Sequence, residues 1–438
     1  MTGTTDEPAR RTRGRLRRLA IDVSPLRASR DFRLIWLGLL VTATGSQFTL
    51  VAVFVQVTDL TGSEAAVGAT GLAYVVGLLA GALGGGAILD AVDRRRLLMA
   101  AQVGLAVGSG ILLTGAISGS PPLWLIYVGL AVLAASSAID GPTRSAITAR
   151  VVDPPLLPAA QALNQVVWNS AALVGPLLAG LVIAGGGVRV AYTVDLVSIG
   201  CMFAAAWFVR PMPPARGDHT DTGWRAIREG FSFARRHRLI MSTFVIDLIA
   251  MVFGLPRVLF PFLIVQRFDQ QQEAIGFLFA ALAVGALLGA LTSGWTGLVL
   301  RQGRAVIVSV IAWGLAIIAF GLSDQLWVAL VALAAAGWAD VISAIFRTTI
   351  LQVSAPEHLR GRLFGIHILV VTGGPRLGDL EAGLVAGVTS PVFSVISGGI
   401  ACIVGALLVA SVYPELRRAR APDATSRYAA PHDETDRR

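Results

Sequence analysis

Long apolar stretches recur along the whole chain, and short polar segments separate them. Each stretch contains about 20 residues or more, which as a helix is long enough to cross a bilayer core of roughly 30 Å. The pattern predicts an all-α, polytopic membrane protein with twelve transmembrane helices, numbered here in chain order. Their predicted bounds are 32–57, 65–89, 97–117, 123–148, 159–184, 190–209, 239–265, 274–300, 305–322, 326–351, 363–388 and 392–412.

The longest internal polar segment lies near the middle of the chain and divides the predicted helices into two groups of six. Because it is rich in proline, glycine and charge, we interpret it as a linker that contains a surface helix around 224–233. The predicted domains are a basic cytoplasmic tail at 1–30, a six-helix bundle at 31–210, the cytoplasmic linker at 211–238, a second six-helix bundle at 239–413 and a cytoplasmic tail at 414–438.

The composition excludes a soluble protein of this length. Of the 438 residues, 55% are hydrophobic and only 14% are charged, and the mean hydropathy is +0.70. A soluble chain needs far more charge to cover its surface. The composition therefore agrees with the hydrophobic pattern.

The net charge of +9 comes from arginine, since all 36 basic residues are arginine. These arginines lie in short loops and tails rather than on one soluble face, so we expect no nucleic-acid partner. Alternate loops carry most of them. The positive-inside rule then requires an even number of helices with both termini in the cytoplasm.

The two halves of the chain resemble each other at three places. The matches are Gly81 with Gly285, Arg144 with Arg347, and Gly175-Pro176 with Gly374-Pro375. Two parallel halves of this kind are typical of secondary transporters, whose binding site lies between the halves near the bilayer midplane. Glycine-rich helices also occur where helices simply pack closely, but three matches in the same order favour a repeat.

A charged turn between helices 2 and 3 is present in the first half alone. Asp90 comes directly after helix 2, and Asp93 follows three residues later with the three arginines Arg94–Arg96 directly after it. The second half has Gly294 where the first has Asp90, and apolar residues replace the arginines. The repeat therefore predicts one charged latch rather than two.

The charged turn resembles a signature of the major facilitator superfamily, in which an acid follows a glycine by four positions and a basic cluster follows the acid. Gly86, Asp90, Arg94 and Arg95 match this signature. Ala91 and Asp93 depart from it in a way that is usual in the drug and siderophore exporter branch, which includes the enterobactin exporters.

Further stretches resemble the same branch. Gly175-Pro176 and Gly180 in helix 5 are similar to the antiporter signature of exporters, with Ala179 in place of one glycine. The second half resembles that branch at Arg257–Pro261 and Ile275–Phe279. The resemblance extends over essentially the whole chain.

The resemblance implies a twelve-helix exporter with two pseudo-symmetric bundles, acting by proton-coupled alternating access in the bacterial cytoplasmic (inner) membrane. The substrate would be a siderophore or an amphiphilic drug-like molecule, the protein a monomer, and the driving force the proton gradient with no cofactor. A charge latch would close the inner gate, and its candidates are Asp90, Arg94, Arg95, Asp140 and Arg144. The alternative for these residues is a static ion pair at the membrane interface.

Ionisable side chains inside a bilayer are energetically unfavourable and usually functional. The candidates for proton coupling are Asp247, Glu381 and Asp340. The candidates for substrate binding are Arg257, Gln47, Asn164, Trp168 and Arg376.

Each of these candidates has a structural alternative, because charged groups also form internal ion pairs and polar groups also join helices. Asp247 and Arg257 are too far apart along helix 7 for a direct bond, whereas Arg376 and Asp379 can pair on one face of helix 11. His367 is interpreted as a hydrogen-bonded structural residue.

Three other functions are alternatives to an exporter. They are a uniporter or importer of a small nutrient, a membrane enzyme acting on lipids, and a non-transporting receptor. An enzyme would need clustered histidines, acids or a nucleophile at one interface, and the sequence has no such cluster and no metal-ligand motif. It also lacks the phosphate-binding Gly-x-x-x-x-Gly-Lys motif, so we expect neither an enzyme nor an ATP-driven pump.

Overall fold

The computed structural model describes residues 22–89, 92–212, 224–268 and 275–420. In this part of the chain all the long elements are α-helices, and we label the twelve apolar segments α1 to α12. They are α1 Arg30–Thr61, α2 Glu64–Leu89, α3 Arg94–Ser118, α4 Leu123–Val151, α5 and α6 together Leu157–Phe208, α7 Arg238–Phe253 and, after a break, Phe260–Gln266, α8 Ile275–Leu291, α9 Gln302–Leu322, α10 Leu326–Ser354, α11 Glu357–Val388 and α12 Pro391–Val412.

By length and hydropathy, nine helices in the described part of the chain can cross a membrane. One of the nine contains both α5 and α6, and α8 is a shorter apolar helix. α11 has 32 residues, but charged residues interrupt its apolar sequence. The twelve predicted segments are all present, and large apolar side chains such as Leu181 (68% exposed) and Leu291 (73% exposed) lie on the surface, as expected in contact with lipid.

α5 and α6 meet at Gly187, the one residue of Leu157–Phe208 whose backbone is not helical, with φ of 71°. A positive φ is readily adopted by glycine because it has no Cβ. The break predicted between helices 5 and 6, after residue 184 and before residue 190, is therefore confirmed, although only one residue in it is not helical.

The predicted continuous helix 7 is wrong in its middle. α7 stops at Phe253, a 3-10 turn follows at Arg257–Leu259, and a helix resumes at Phe260. The cause is Pro256, which has no N–H to donate and disfavours the helical conformation of the residue before it. The break gives Arg257 a position outside regular helix.

Two other bounds differ from prediction. α8 ends at Leu291 instead of 300, and a 3-10 turn at Ser293–Leu298 follows it, in a segment where Gly294 and Gly297 weaken the helix. α11 begins at Glu357, directly after Pro356, so most of the loop expected before 363 is helical. The surface helix of the linker is present as Trp224–Arg236 and packs through Phe233 and Ala234 against a cluster that includes Leu363.

The chain divides into two compact units. The first consists of Met1–Val53 and Gly77–His219, and the second of Phe54–Val76 and Thr220–Arg438. The end of α1 and the first half of α2 thus belong to the unit that contains the second half of the chain. The predicted division into two bundles of six whole helices stays a prediction.

Glycine packing supports the internal repeat and corrects its register. In the first unit Gly77 and Gly81 lie against the backbone of Ala131 and Ala135 on α4. In the second unit Gly285 and Gly289 of α8 lie in the same way against Ala334 and Trp338 on α10. With Arg144 matched to Arg347, the structure therefore pairs Gly81 with Gly289, one helical turn away from the match predicted with Gly285.

Gly81→Ala is expected to destabilise the first unit, because the added Cβ would collide with the carbonyl oxygen of Ala135. Overpacking of this kind costs about 1–3 kcal/mol, which thermal unfolding of the purified protein in detergent would detect. Gly84→Ala is the matched control, since a Cβ there meets nothing within 4 Å. Gly84→Ala should slightly stabilise the protein, because alanine favours the helix. Equal destabilisation by the two substitutions would contradict the close packing of Gly81 on Ala135.

Candidate functional site

A buried arginine on α10 lies among polar side chains from three helices of the second unit. Arg347 is 3% exposed, and its Nη2 lies 2.9 Å from Oδ1 of Asp247 on α7 and 3.7 Å from Oδ1 of Asp340. Its Nη1 donates a hydrogen bond of 3.0 Å to the hydroxyl of Ser343. Nδ1 of His367 on α11 lies 3.8 Å from the other oxygen of Asp247. We call these five residues the Arg347 cluster.

The spacing along α10 explains how three of these side chains meet. Asp340, Ser343 and Arg347 follow each other at intervals of three and four residues, which places them along one helix face. Asp247 comes from another helix, is 0% exposed, and neither of its oxygens has a hydrogen-bond partner in the described structure. The ion pair with Arg347 is therefore the main compensation for burying this carboxylate.

A second group surrounds Asp379 on α11, which is also 0% exposed. Nη2 of Arg257 and Nη1 of Arg376 lie 4.0 Å and 3.5 Å from the same oxygen, Oδ2 of Asp379. The guanidinium of Arg376 also lies over the ring of Tyr74 on α2, 4.3 Å from the ring centroid, in a cation–π contact. We call Tyr74, Arg257, Arg376 and Asp379 the Asp379 cluster.

The charges of the Asp379 cluster do not balance. Two arginines share one carboxylate, so the cluster carries a net charge of +1. Both arginine side chains are 19% exposed, whereas Asp379 is buried behind them. The arrangement suits an added anion, since planar guanidinium groups bind carboxylates and other oxygen anions in defined geometry.

Asp247 and Arg257 thus belong to different clusters, as their spacing along the chain requires. The Arg376–Asp379 pair expected along α11 is present, and Arg257 joins it from the turn after the break in α7. Glu381 is partly buried. No ion pair or hydrogen bond involves it within the described part of the chain.

In the first unit, Asp140 and Arg144 pair along α4. Nε and Nη2 of Arg144 lie 2.8 Å and 2.7 Å from Oδ2 of Asp140, and the amide of Gln102 donates to Oδ1 at 2.7 Å. The guanidinium of Arg144 lies 5.8 Å from the ring centroid of Trp168 on α5. The pair is therefore held from three helices.

The charged turn is described only in part, because Asp90 lies outside the described residues. The N–H of Arg94 at the start of α3 donates to the carbonyl of Met212 at 3.2 Å. Arg95 donates a 2.5 Å hydrogen bond to the carbonyl of Trp207 and lies over its indole ring. Among the described contacts Arg95 thus bonds to the end of α6 rather than to Asp140, and the latch stays a prediction.

The predicted cavity residues of the first unit lie on α1 and α5. Gln47 packs on Gly175, where an added Cβ would lie 2.6 Å from the Gln47 side chain. This contact explains why the Gly-Pro segment of α5 has no side chain at that position. Asn164 is partly buried, and Trp168 is 43% exposed, so both present polar or aromatic surface from one helix.

Asp195 on α6 is a further buried carboxylate, 3% exposed. The hydroxyls of Thr49 and Ser109 donate to its Oδ2 at 2.7 Å and 3.0 Å. It thereby connects α1, α3 and α6 through hydrogen bonds.

Sequence reasoning missed three functional candidates. The sequence predicts Arg347 only as part of the repeat and His367 only as a structural residue, and it gives no indication of a role for Tyr74. A signal for Arg347 was available, since an arginine within an apolar helix requires a partner. The partners themselves come from other helices, and their identity depends on the fold.

The fold and the polar clusters within its helices define the class of the protein as a polytopic membrane transporter. The family model MFS_3, described as transmembrane secretion effector, matches residues 20–437. The chain therefore belongs to this family of the major facilitator superfamily. Its members are transporters rather than enzymes, and they need no cofactor.

Curated relatives match over nearly their full length. The enterobactin exporter EntS of Escherichia coli O1:K1 is 28% identical over 409 residues, which cover 91% of this chain and 96% of the relative. The enterobactin exporter EntS of Citrobacter koseri is 28% identical over 411 residues, covering 92% and 96%. Among solved structures, a bacterial homologue of the human lysosomal transporter Spinster has a TM-score of 0.69 at 14% identity, covering 89% of this chain and 98% of that one. This structural likeness confirms the fold.

Proposed function

We propose that the protein exports an anionic, amphiphilic molecule of the siderophore type and couples this export to proton entry. The observation that carries the proposal is the Asp379 cluster, in which two partly exposed arginines share one buried carboxylate. A catecholate or carboxylate group would bring the anion that this cluster lacks, and Tyr74 would offer an aromatic face beside it. The similarity to exporters of enterobactin supports the same substrate class.

The Arg347 cluster supports proton coupling. It contains two carboxylates and one permanent cation, so it has a deficit of one positive charge when His367 is neutral. An unbalanced charge is unfavourable within a bilayer, and a bound proton would remove the imbalance. Asp247, Asp340 and His367 are the groups that would hold this proton here, and Glu381, two residues after Asp379 along α11, would be a second acceptor.

Close glycine contacts support alternating access. In the second unit the first half of α2 packs on α11, where a Cβ added at Gly383 would lie 2.6 Å from the Glu64 carbonyl oxygen and from Cα of Gly68. Such contacts have no interlocking side chains. They can therefore separate without breaking side-chain packing, which a helix that opens and closes a path to the substrate requires.

The proposed setting is the bacterial cytoplasmic membrane, with both termini in the cytoplasm and the protein acting as a monomer. The arginine distribution supports this orientation through the positive-inside rule. In this orientation the Asp140–Arg144 pair and the charged turn with Asp90, Arg94 and Arg95 belong to the inner gate.

Proteoliposomes loaded with a catecholate siderophore test the proposal. A proton gradient that drives protons into the vesicles, opposite to the movement of the substrate, should accelerate release of the substrate. A protonophore should abolish this acceleration. Asp247→Asn and Glu381→Gln are the variants in which the gradient dependence should fall, while substrate exchange without a gradient persists and reports a folded protein. Asp324→Asn, whose side chain is 82% exposed in a loop, is the matched control and should behave as the wild type.

Two outcomes contradict the proposal. Efflux that ignores the gradient in the wild type would exclude proton coupling, and accumulation driven by the gradient would identify an importer instead.

A further inference from the structure

A polar cavity of about 370 Å³ lies in the first unit, at the end where α1 begins and α4 ends. Four segments form its wall: the start of α1 with the residues before it, the end of α4, the turn before α5 and the chain that follows α6. The charged residues that line it are Arg30, Asp31, Arg150, Asp153 and Arg210. Nothing in the proposed transport mechanism uses this cavity.

Two of the arginines in the cavity, Arg30 and Arg210, are open to a ligand. Arg30 is exposed, and the side chain of Arg210 is 82% exposed. With three arginines against two carboxylates the lining has an excess of one positive charge. Guanidinium groups that converge on a polar cavity are typical of sites for phosphate groups.

The cavity is also lined by a carboxylate, Asp31, which requires a cationic partner. It is 8% exposed, its Oδ2 lies 3.9 Å from Nε of Arg210, and its Oδ1 has no hydrogen-bond partner in the described structure. A buried carboxylate oxygen without a donor is strongly unfavourable. A ligand that brings an ammonium group into the cavity would compensate the charge of this carboxylate.

We propose that this cavity binds a phosphate diester that carries a primary amine, namely the ethanolamine headgroup of a membrane phospholipid. The phosphate accepts hydrogen bonds from Arg30 and Arg210, and the ammonium group pairs with the carboxylate of Asp31, which lines the cavity. The cavity is also joined to the charged turn, since the carbonyl of its wall residue Met212 accepts the N–H of Arg94. Occupancy by lipid therefore stabilises the chain segment that holds the start of α3.

Native mass spectrometry of the purified full chain, released from nanodiscs of defined composition, tests this assignment. Phosphatidylcholine has the same phosphate but no N–H donor, and phosphatidylglycerol has no amine. Phosphatidylethanolamine should be retained in preference to both. Asp31→Asn should lower its preference over phosphatidylcholine about tenfold, the loss expected for one charge-assisted hydrogen bond.

Arg210→Gln should instead lower the retention of all three lipids, because it removes a phosphate ligand. The control is Arg96→Gln, an exposed arginine in the first turn of α3 outside the cavity, which should retain lipid as the wild type does. Equal retention of the ethanolamine and choline lipids, or an unchanged preference in Asp31→Asn, would overturn the proposal. The protein could instead bind soluble phosphoethanolamine in nanodiscs that contain no ethanolamine lipid, and fail to retain phosphatidylethanolamine. This result would contradict the proposal that the ligand is a membrane lipid.

Discussion

Arg347→Gln is expected to destabilise the protein strongly, so that the membrane contains much less folded protein than it does with the wild type. The change leaves Asp247, which is 0% exposed, and the nearby Asp340 without a permanent cation. Removal of one partner from a buried ion pair costs roughly 3–5 kcal/mol, because the other charge stays buried and uncompensated. Expression in membranes and the thermal unfolding midpoint in detergent both measure the loss.

The double variant Asp247→Asn/Arg347→Gln tests whether uncompensated charge is the cause. It removes both charges of the closest pair, so most of the stability lost in the single variant should return. Asp324→Asn is the matched control, because it removes the carboxylate of an ion pair with Arg267 in which the Asp324 side chain is 82% exposed. Exposed pairs contribute little. If the single variant Arg347→Gln were as stable as Asp324→Asn, the buried pair would not have the role assigned here.

The twelve helices were predictable because a bilayer imposes a minimum apolar length on each of them. The same uniformity hid the break in α7, since Pro256 and Arg257 lie inside one long run that is otherwise largely apolar. It also hid the length of α11, whose first turns are polar although they are helical. Hydrophobicity thus predicts which segments enter the membrane better than where each helix begins, breaks or ends.

The residues of the candidate site were predictable, but their partners were not. Ionisable side chains in apolar segments identify Asp247, Arg257 and Arg376 directly. Which helix supplies the opposite charge depends on how the helices pack, and this packing cannot be predicted from a single sequence. The sequence therefore left Asp247 and Arg257 without partners, whereas the structure provides Arg347 and Asp379.

The repeat shows how the two halves have diverged at equivalent positions. Arg144 and Arg347 correspond, and so do Asp140 and Ser343, each four residues earlier. In the first half Arg144 pairs with the acid on its own helix. In the second half the acid is replaced by Ser343, which accepts a hydrogen bond from Arg347, and the arginine pairs with Asp247 from α7 instead. The closest ion pair of this arginine therefore lies within one helix in the first half and connects two helices in the second half.

Arg257→Gln/Arg376→Gln is expected to abolish binding and export of an anionic substrate in the fraction of the protein that folds. The variant also lowers stability, because Asp379, which is 0% exposed, loses both of its cations. The change turns the net charge of the Asp379 cluster from +1 to −1. A charge-assisted hydrogen bond contributes about 1.5–3 kcal/mol, so loss of two such bonds should weaken substrate binding by a factor of about 100 or more. Tryptophan fluorescence quenching by a catecholate siderophore measures the affinity, and efflux from proteoliposomes measures transport.

The matched variant Arg257→Gln/Asp379→Asn separates the effect of charge from the effect of lost arginines. It keeps Arg376 and its contact with Tyr74, and the net charge stays at +1. Because the anion still meets a cation that no carboxylate neutralises, binding should fall much less than in the double arginine variant. A neutral analogue of the siderophore should be affected equally little by both variants. If the affinity for the anionic siderophore fell equally in the two variants, the arginines would act through their shape and not through their charge.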